Sequence, residues 1–252
     1  MQQVELERDY REAYFRTKCF KGIFTHDISN LFQIISNSVE ICESLLREEL
    51  NVREVIDYFE LIAQQLNRGK QLINNVRNLS ILEDYEMPLE PIEIYQTLRN
   101  AIQFAQLSFC NKKLEIKVLP EQTDLYVMAN ELLLDVFENL IMNSIIYNKN
   151  ERIQITICVS VIEQEDRDYV KLEFKDNGIG IDDDHKHKIF QGEQYQHQLS
   201  KGMGIGLSLV AKLIELCGGK ISLEDRIEGD HSQGSNFILW IPQFKIIWSD
   251  EK

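Results

Sequence analysis

The sequence predicts two parts, an N-terminal antiparallel helical hairpin followed by an α/β sandwich. Residues 4–84 contain no proline and only two glycines, in a background rich in the residues that favour helix. Two prolines then stand close together at Pro88 and Pro91, and the segments after them alternate apolar and polar residues as half-buried strands do. We therefore expect a helical domain over residues 1–86, a linker over 87–91, an α/β domain over 92–242 and a C-terminal tail over 243–252.

The helical part carries two apolar stripes with heptad spacing. The first stripe steps by four and three residues through Phe24, Ile28, Leu31, Ile35, Ser38, Cys42 and Leu45. The second stripe comprises Val52, Val55, Phe59, Ile62, Leu66, Ile73 and Val76, and the polar turn between the helices lies near Asn51. Two helices alone cannot bury stripes of this extent, so a homodimer that forms a four-helix bundle is expected.

The second part interleaves helices with strands and antiparallel hairpins, which is typical of an α/β sandwich. We predict helices over residues 92–109, 130–147 and 207–216. Strands are predicted over residues 114–119, 124–129, 153–161, 170–174, 220–224 and 236–241, with a hairpin turn at 163–168.

Composition excludes several classes of function. The 252 residues carry a net charge of −14 without a basic half, so no nucleic acid is expected as a partner. No apolar stretch approaches the roughly 18 residues that span a bilayer, and the first residues do not resemble a signal peptide. The five cysteines are isolated and mostly in apolar surroundings. They are predicted to be reduced core thiols of a cytoplasmic protein that does not insert into a membrane.

His26 and Asp27 form the first candidate site. The heptad places His26 on the outer face of its helix, and Asn30 follows one turn later on the same side. An exposed imidazole beside a carboxylate can act as a nucleophile, because the acid holds one ring nitrogen protonated while the other attacks. Viewed alone, the same pair also fits an ordinary solvated helix face.

Asn139 and Asn143 form the second candidate, since four residues of helix bring both amides to one face. Amide oxygens are hard ligands that suit magnesium shared with phosphates. Helix capping or a structural hydrogen bond is the alternative interpretation of the same pair.

Two glycine-rich segments complete the set. Asp176-Asn177-Gly178-Ile179-Gly180 follows a predicted strand, where a carboxylate can accept a hydrogen bond from an exocyclic amine and glycines admit a flat ring. The segment 202–209 runs into a helix, where backbone N–H groups and the helix dipole favour an anion. A tight turn and a flexible hinge are the corresponding alternatives.

The order and spacing of all four motifs resemble the sensor histidine kinases of two-component signalling, over about residues 15–242. Further matches are Ile189-Phe190, the segment 217–221, and Gly234-Ser235 with Phe237. The resemblance implies a dimerisation and histidine-phosphotransfer domain followed by an ATP-binding domain of the gyrase, chaperone, kinase and mismatch-repair (GHKL, or Bergerat) type.

Site roles follow from this resemblance, residue by residue. It implies that His26 accepts the phosphoryl group, that Asp27 activates it, and that Asn30 positions water for dephosphorylation of the partner. Asn143 would bind Mg²⁺, and Asp176 would bind the adenine amino group of ATP. The other nucleotide-binding positions would be Asn139, Tyr147, Gly178, Gly180, Ile181, Gly202, Gly204, Ile205, Gly206 and Leu207.

Three positions depart from the family pattern. Ile146 replaces a lysine that commonly reaches the phosphates, so Lys149 is a candidate substitute. Leu31 replaces a proline that commonly loosens the first helix, which leaves Gly22 as the point of bending. The segment 191–200 contains no arginine, so Lys186, Lys188 and Lys201 are the candidate phosphate contacts there.

The resemblance predicts an ATP-dependent protein-histidine kinase that autophosphorylates His26 and passes the phosphoryl group to an aspartate of a response-regulator receiver domain. Two alternatives stay open: a dimeric nucleotide-binding pseudokinase that acts as a scaffold, and a serine kinase of a partner protein on the same ATP-binding fold. About 14 residues precede the first predicted helix, so we expect the sensor domain to lie outside this chain.

Overall fold

The computed structural model describes residues 28–47, 52–84, 88–120, 124–164, 166–186, 189–190 and 205–245. Within these ranges the chain divides into two compact units. The described residues up to Arg77 belong to the first, and those from Asn78 onward belong to the second.

Helices α1 (28–47) and α2 (Val52–Asp84) form the hairpin of the first unit. The predicted stripe of α1 is confirmed, because its described members are buried or half-buried. Buried Leu31 lies against Gly69 of α2, where an added Cβ would be 3.5 Å from the leucine Cδ1. Near the turn, the Cys42 thiol donates to the carbonyl oxygen of Val55 at 3.9 Å. Phe24 and the side chain of Val52 lie outside the described residues.

The predicted stripe of α2 is wrong for three of its members. Phe59, Leu66 and Ile73 are 58%, 52% and 52% exposed. The buried positions of α2 in this unit are instead Val55, Gln65, Leu72 and Asn75. Helix α2 therefore has one face that is covered within the chain and includes polar residues, and one apolar stripe that is open. Heptad spacing alone does not show which face is covered.

The second unit contains a seven-stranded sheet in the order β1-β3-β7-β5-β4-β2, with β6 also paired to β7. All described pairs are antiparallel except β2 with β4. The strands are β1 (Glu90–Glu93), β2 (Lys113–Leu119), β3 (Tyr126–Ala129), β4 (Arg152–Ile162), β5 (Tyr169–Asp176), β6 (Lys220–Ile227) and β7 (Asp230–Phe244).

Helices cover one face of this sheet. They are α3 (Ile94–Ser108), α4 (Leu133–Ile146) and α6 (Ile205–Leu216), and the short helix α5 (Asp183–Lys186) follows β5 in the chain. Helix α4 packs against β4 and β5, and α6 packs against β6 and β7. Alternate residues of β4 and β5 point into this layer, and Phe174 meets Phe137 of α4 with ring centroids 5.7 Å apart. The predicted two-part fold, with an α/β sandwich as its second part, is confirmed.

Three details differ from the sequence-based expectation. Strand β1 includes Glu90 and Pro91, the last two residues of the predicted linker, and proline is tolerated there because β1 lies at the sheet edge. Helix α4 begins at Leu133 rather than at Asn130, whose side-chain oxygen accepts from the N–H of Leu132 at 3.1 Å. Cys110 is exposed and therefore not a core thiol.

No helix in the described part of the chain is both long and apolar enough to cross a membrane.

Candidate functional site

Asp176 ends β5 and continues the alternation that points Phe174 toward the helices. Its side chain is 4% exposed. Carboxylate Oδ1 accepts from the backbone N–H of Gly178 at 2.7 Å and of Ser235 at 3.4 Å. Oδ2 accepts from the Ser235 hydroxyl at 2.5 Å and lies 3.4 Å from the Ser144 hydroxyl. The carboxylate thus joins β5, β7 and α4 at one point.

Burial raises the pKa of the Asp176 carboxyl above its ordinary value, and the hydrogen bonds from Ser235, Gly178 and Ser144 act in the opposite direction. The Ser144 hydroxyl has one proton, and its oxygen is closer to the Leu140 carbonyl oxygen, at 3.0 Å. When Ser144 donates to Leu140, one acceptor position of Asp176 is left for another donor. A buried acceptor of this kind suits an N–H group on a flat ring.

Glycines line the turn after Asp176 where a side chain would collide with backbone. A Cβ on Gly178 would lie 2.9 Å from the Tyr147 carbonyl oxygen. Gly180 has φ +66°, and a Cβ there would lie 1.5 Å from the His231 carbonyl oxygen. This turn therefore requires glycine at both positions, and its bare backbone can approach a ligand closely.

Helix α4 brings the asparagine pair next to this turn. Asn139 is buried, and its amide nitrogen donates to the Asp135 carbonyl oxygen at 2.8 Å. Asn143 is half-buried one turn later, and its backbone carbonyl oxygen accepts a hydrogen bond from the backbone N–H of Tyr147. Tyr147 in turn accepts from the N–H of Ile179 at 3.1 Å. The end of α4 and the glycine turn are therefore held together by backbone hydrogen bonds.

Asn177 fixes the turn from the other side. Its side-chain oxygen accepts from the N–H of Gln154 at 2.8 Å and from the amide of Asn148 at 2.7 Å. Its side-chain nitrogen donates to the Arg152 carbonyl oxygen at 3.1 Å, and the Asn150 amide donates to its backbone oxygen. Asp176 and Asn177 are adjacent, yet their side chains bind different parts of the sheet.

Sequence reasoning assigned no role to Ser144, Ser235, Asn148 or Asn177. Ser235 was part of the Gly-Ser motif matched in the last strand, so its signal was present. Ser144 follows directly after Asn143 inside an apolar helix, and no periodicity distinguishes it from a structural serine. The partners of Asn177 come from β4 and from the residues just before it, which the sequence cannot place beside Asn177.

The second glycine segment is only partly described. Gly202 and Gly204 lie outside the described residues, and so do Lys188 and Lys201. The described part of α6 begins at Ile205, two residues before the predicted helix over 207–216; Gly206 is buried and Leu207 is half-buried. Ile181 is half-buried after the first glycine turn.

The phosphoacceptor candidates belong to the first unit. His26 and Asp27 lie outside the described residues, which begin with residue 28 on this side. Asn30 is exposed on α1, four residues after His26 in sequence, and Gln33 and Asn37 are exposed as well.

Lys186 and Lys149, two of the lysines predicted to contact the phosphates, have different surroundings in the structure. Lys186 forms ion pairs at 2.5 Å with both Asp183 and Asp225, and its side chain is 13% exposed. Its charge is therefore neutralised by the protein. Lys149 lines a cavity together with Asn177, and Asp176 is not among the residues that line it. Ile146 is the half-buried last residue of α4.

A second electrostatic feature lies on α4. Burial raises the pKa of Glu138 to about 7, and the nearby charge of Asp135 acts in the same direction. Burial also raises the pKa of Asp135, against a hydrogen bond from the Asn78 side chain. This helix thus places two poorly hydrated carboxyls beside the asparagine pair.

The donor set fits a nucleotide. Asp176 offers a buried acceptor for the base, and the glycines leave room for it. Among the described residues, no three His, Cys, Asp or Glu side chains form a metal site. A magnesium ion at Asn143 would therefore have to share its coordination with phosphate oxygens, as Mg²⁺ commonly does.

Comparison with known families agrees with this geometry. Residues 128–245 match the family described as histidine kinase-, DNA gyrase B- and HSP90-like ATPases. That range contains the asparagine pair and both glycine segments.

Among curated relatives, the chain is 26% identical to the sensor histidine kinase Hik2 of Synechocystis sp., over 82% of this chain and 51% of Hik2. It is 28% identical to the uncharacterized sensor-like histidine kinase ycf26 of Porphyra purpurea, over 72% of this chain and 30% of that protein. The chain therefore spans about half of the length of Hik2 and less than a third of the length of ycf26.

Among solved structures, the catalytic domain of histidine kinase ThkA in a nucleotide-free form is similar, with a TM-score of 0.52 and 26% identity. The match covers 62% of this chain and 99% of that one. Full-length ShkA in complex with AMPPNP matches 90% of this chain and 46% of its own, with a TM-score of 0.56 and 20% identity, which bears on the fold alone.

Proposed function

We propose that this chain is a sensor histidine kinase with a GHKL-type ATP-binding domain, and that it is an ATP-dependent protein-histidine kinase which phosphorylates its own His26. The observation that carries the proposal is the buried carboxylate of Asp176 inside a turn that only glycine can form. The bond between Tyr147 and Ile179 ties that turn to the asparagine helix α4.

Asp176 selects the base in this proposal. Its carboxylate accepts a hydrogen bond from the exocyclic amine of adenine. Guanine has a carbonyl oxygen at the corresponding position, and that oxygen would repel the carboxylate. Gly178, Gly180 and Ile181 line the base. Asn139, Asn143 and Tyr147 border it from α4. The phosphates lie at the N-terminus of α6, where Gly202, Gly204, Ile205, Gly206 and Leu207 offer backbone N–H groups and the positive end of the helix dipole.

Asn143 is the proposed protein ligand of Mg²⁺, which when bound neutralises charge on the transferring phosphates. Asn143→Ala should therefore weaken ATP binding in the presence of Mg²⁺ and leave ATP binding in EDTA unchanged. Calorimetric titration under both conditions measures this without any need for catalysis. Equal losses in both conditions would assign Asn143 to the nucleotide rather than to the metal.

The chemistry is a transfer of the γ-phosphoryl group. A ring nitrogen of His26 attacks the γ-phosphorus, a P–N bond forms, the bond to the β–γ bridging oxygen breaks, and ADP leaves. Asp27 holds the other ring nitrogen protonated and stabilises the positive charge that develops on the imidazole. Positioning and charge neutralisation supply most of the catalysis in such transfers.

We propose a response-regulator receiver domain as the partner, whose aspartate takes the phosphoryl group from His26. Asn30 positions the water that hydrolyses the phospho-aspartate of the receiver domain. The open stripe of Phe59, Leu66 and Ile73 supports a homodimer, because an apolar face of this kind needs a partner in water. We further propose a cytoplasmic location and a helical domain that ends at residue 86. The ATP-binding domain then includes β1 from Glu90 and β7 to Phe244.

Labelling with γ-phosphate-labelled ATP tests the function. Wild type should acquire label that is stable in base and lost in acid, because a P–N bond is acid-labile. His26→Gln should acquire none, while His231→Gln, a change at an exposed histidine of β7, should label like wild type. Equal labelling of His26→Gln and wild type would exclude His26 as the acceptor.

A dimeric pseudokinase is a second candidate, and two observations favour it. Ile146 stands where the family commonly has a lysine, and Lys186 is already paired with two carboxylates. In that case the wild type would bind ATP in calorimetry but never become labelled, whereas the kinase both binds and labels.

A further inference from the structure

The open face of the sheet contains a cavity of about 420 Å³ behind the glycine turn. Its walls come from the start of β4, the turn after β5, the end of β6 and the start of β7. The lining residues are Lys149, Asn150, Gln154, Asn177, Gly178, Ile179, Arg226, Ser232 and Gln233. A volume of this size lies within the range of small-molecule sites.

This cavity differs from the proposed nucleotide site. Asp176, Asn139 and Asn143 are not among its lining residues. The Asp176 carboxylate binds Ser144 on the helix-covered face, whereas the Asn177 side chain binds the start of β4 and lines the cavity. Gly178 lines this cavity and also borders the proposed base site, so the glycine turn lies between the two sites, with the Asp176 side chain on one side and the Asn177 side chain on the other.

The cavity wall is positively charged in a chain whose net charge is −14. Lys149 and Arg226 are its only ionisable lining residues, and no carboxylate belongs to the wall. Among the described residues, neither cation has an ion pair. The nearby Glu151 is paired with Lys113, and Asp230 accepts from Ser232. Glu151 is therefore engaged by a cation outside the wall, whereas Asp230 lies next to the wall through its hydrogen bond from Ser232.

Arg226 carries the strongest sign of a missing partner. Its Nε atom is buried and has no hydrogen-bond acceptor in the described structure. A buried N–H without an acceptor costs about 1–3 kcal/mol, and guanidinium groups are suited to bidentate binding of oxyanions. An anion in the cavity would satisfy this atom.

We propose that this open-face cavity binds a small phosphate-bearing molecule with a polar body. Arg226 and Lys149 hold the phosphate, since together they supply two positive charges and several N–H donors. The side-chain amides of Asn150, Gln154 and Gln233 each already form one hydrogen bond, with Asn177, Glu115 and Asp230 respectively. An amide can form further hydrogen bonds through its oxygen and its second N–H, so these groups suit hydroxyl groups on the rest of the ligand. The cavity is too polar for an apolar ligand.

Ribose 5-phosphate is the probe, with ribose as its uncharged counterpart. Titration of the full chain is followed by NMR through the side-chain amide signals of Asn150, Gln154 and Gln233, which report from the cavity wall. Saturable shifts with ribose 5-phosphate, and much weaker shifts with ribose, are expected. Shifts that do not saturate in the millimolar range, or equal binding of ribose, would overturn the proposal.

Substitutions locate the binding. Arg226→Gln and the exposed Lys149→Gln should each weaken ribose 5-phosphate binding by about tenfold, since each removes a charged partner of the phosphate. Lys220→Gln, at an exposed cation of the same strand β6 outside the cavity, should bind like wild type. Unchanged affinity in both cavity variants would overturn the proposal, and so would an equal loss in Lys220→Gln.

Discussion

Gly234 and Asp176 lie so close that a Cβ on the glycine would be 2.0 Å from the aspartate's carbonyl oxygen. Gly234 has φ +115°, outside the range of ordinary L-residues. Ser235, the next residue, donates to the Asp176 carboxylate. The glycine thus lets β7 approach β5 closely enough for that hydrogen bond, and the position of Asp176 depends on a residue 58 positions away in sequence.

Gly234→Ala should lower the free energy of unfolding by about 3 kcal/mol, because both the backbone conformation and the contact with Asp176 are incompatible with a methyl group. Urea unfolding measures this. Gly229→Ala is the matched control, since Gly229 has φ +79° but nothing within 4 Å of an added Cβ. The free energy of unfolding of Gly229→Ala should fall by only about 1 kcal/mol. Equal losses in the two variants would show that the contact with Asp176 contributes nothing.

Glu138→Gln should stabilise the protein in mildly alkaline solution. Burial raises the pKa of Glu138 from 4.5 to about 7. The folded state therefore binds a proton that the unfolded state releases, and stability falls as the pH rises through this window. Glutamine has no charge, so the variant removes the free-energy cost of the ionised, partly buried carboxylate. That cost is about 1 kcal/mol after allowance for solvent screening.

Unfolding of the Glu138→Gln variant should be compared with wild type at about pH 8 and about pH 4.5, on either side of this titration. The stabilisation should be present at the higher pH and absent at the lower. Glu131→Gln, a change at an exposed carboxylate just before α4, should show neither effect. A difference in stability that does not change with pH would contradict the assignment.

Phe59→Glu should convert a dimer into monomers. Phe59 is 58% exposed on the open stripe of α2, and a symmetric dimer would bury it twice. Loss of two buried aromatic side chains corresponds to about 4 kcal/mol, or about a thousandfold weaker association. Sedimentation of the variant should show monomers, while Gln64→Glu, at an exposed polar position of α2, should stay dimeric. A wild type that is monomeric at micromolar concentration would refute the dimer.

Asn30→Ala should separate two activities. Asn30 is exposed on α1, so alanine should leave stability and His26 phosphorylation almost unchanged. Without the amide that holds a water, hydrolysis of the phosphorylated receiver domain should be slower. The measurement is the receiver's phosphate lifetime with ADP present, with Gln33→Ala as a control at a neighbouring exposed amide. Equal lifetimes with variant and wild type would show that Asn30 does not position the water.

Local patterns predicted most of the second unit. Apolar and polar residues alternate without a break in β4 and β5 because one face of each strand meets the helices. The sequence therefore predicts both strands. Strand β1 was not, since Glu90 and Pro91 look like linker and form a strand only by pairing with Met128 and Ala129 of β3. Strand β1 therefore depends on pairing between residues that are distant in sequence, which no local pattern shows.

The hairpin shows a different limit. Phe59, Leu66 and Ile73 have heptad spacing, and so do Leu72 and Leu79, because a helix of a bundle has more than one apolar seam. Spacing alone cannot say which seam faces α1. Likewise, the Asp176 motif predicted a carboxylate at a strand end, but its partners Ser144 and Ser235 are brought there by the fold.

The central claim is that ATP held by the Asp176 turn phosphorylates His26, and mapping the phosphorylated residue by mass spectrometry at alkaline pH tests it most directly. After incubation with ATP and Mg²⁺, wild type should carry phosphate on His26, and Asp176→Asn should carry none because the adenine contact is lost. Phosphate on another residue of wild type, or equal phosphorylation of His26 in Asp176→Asn, would contradict the account.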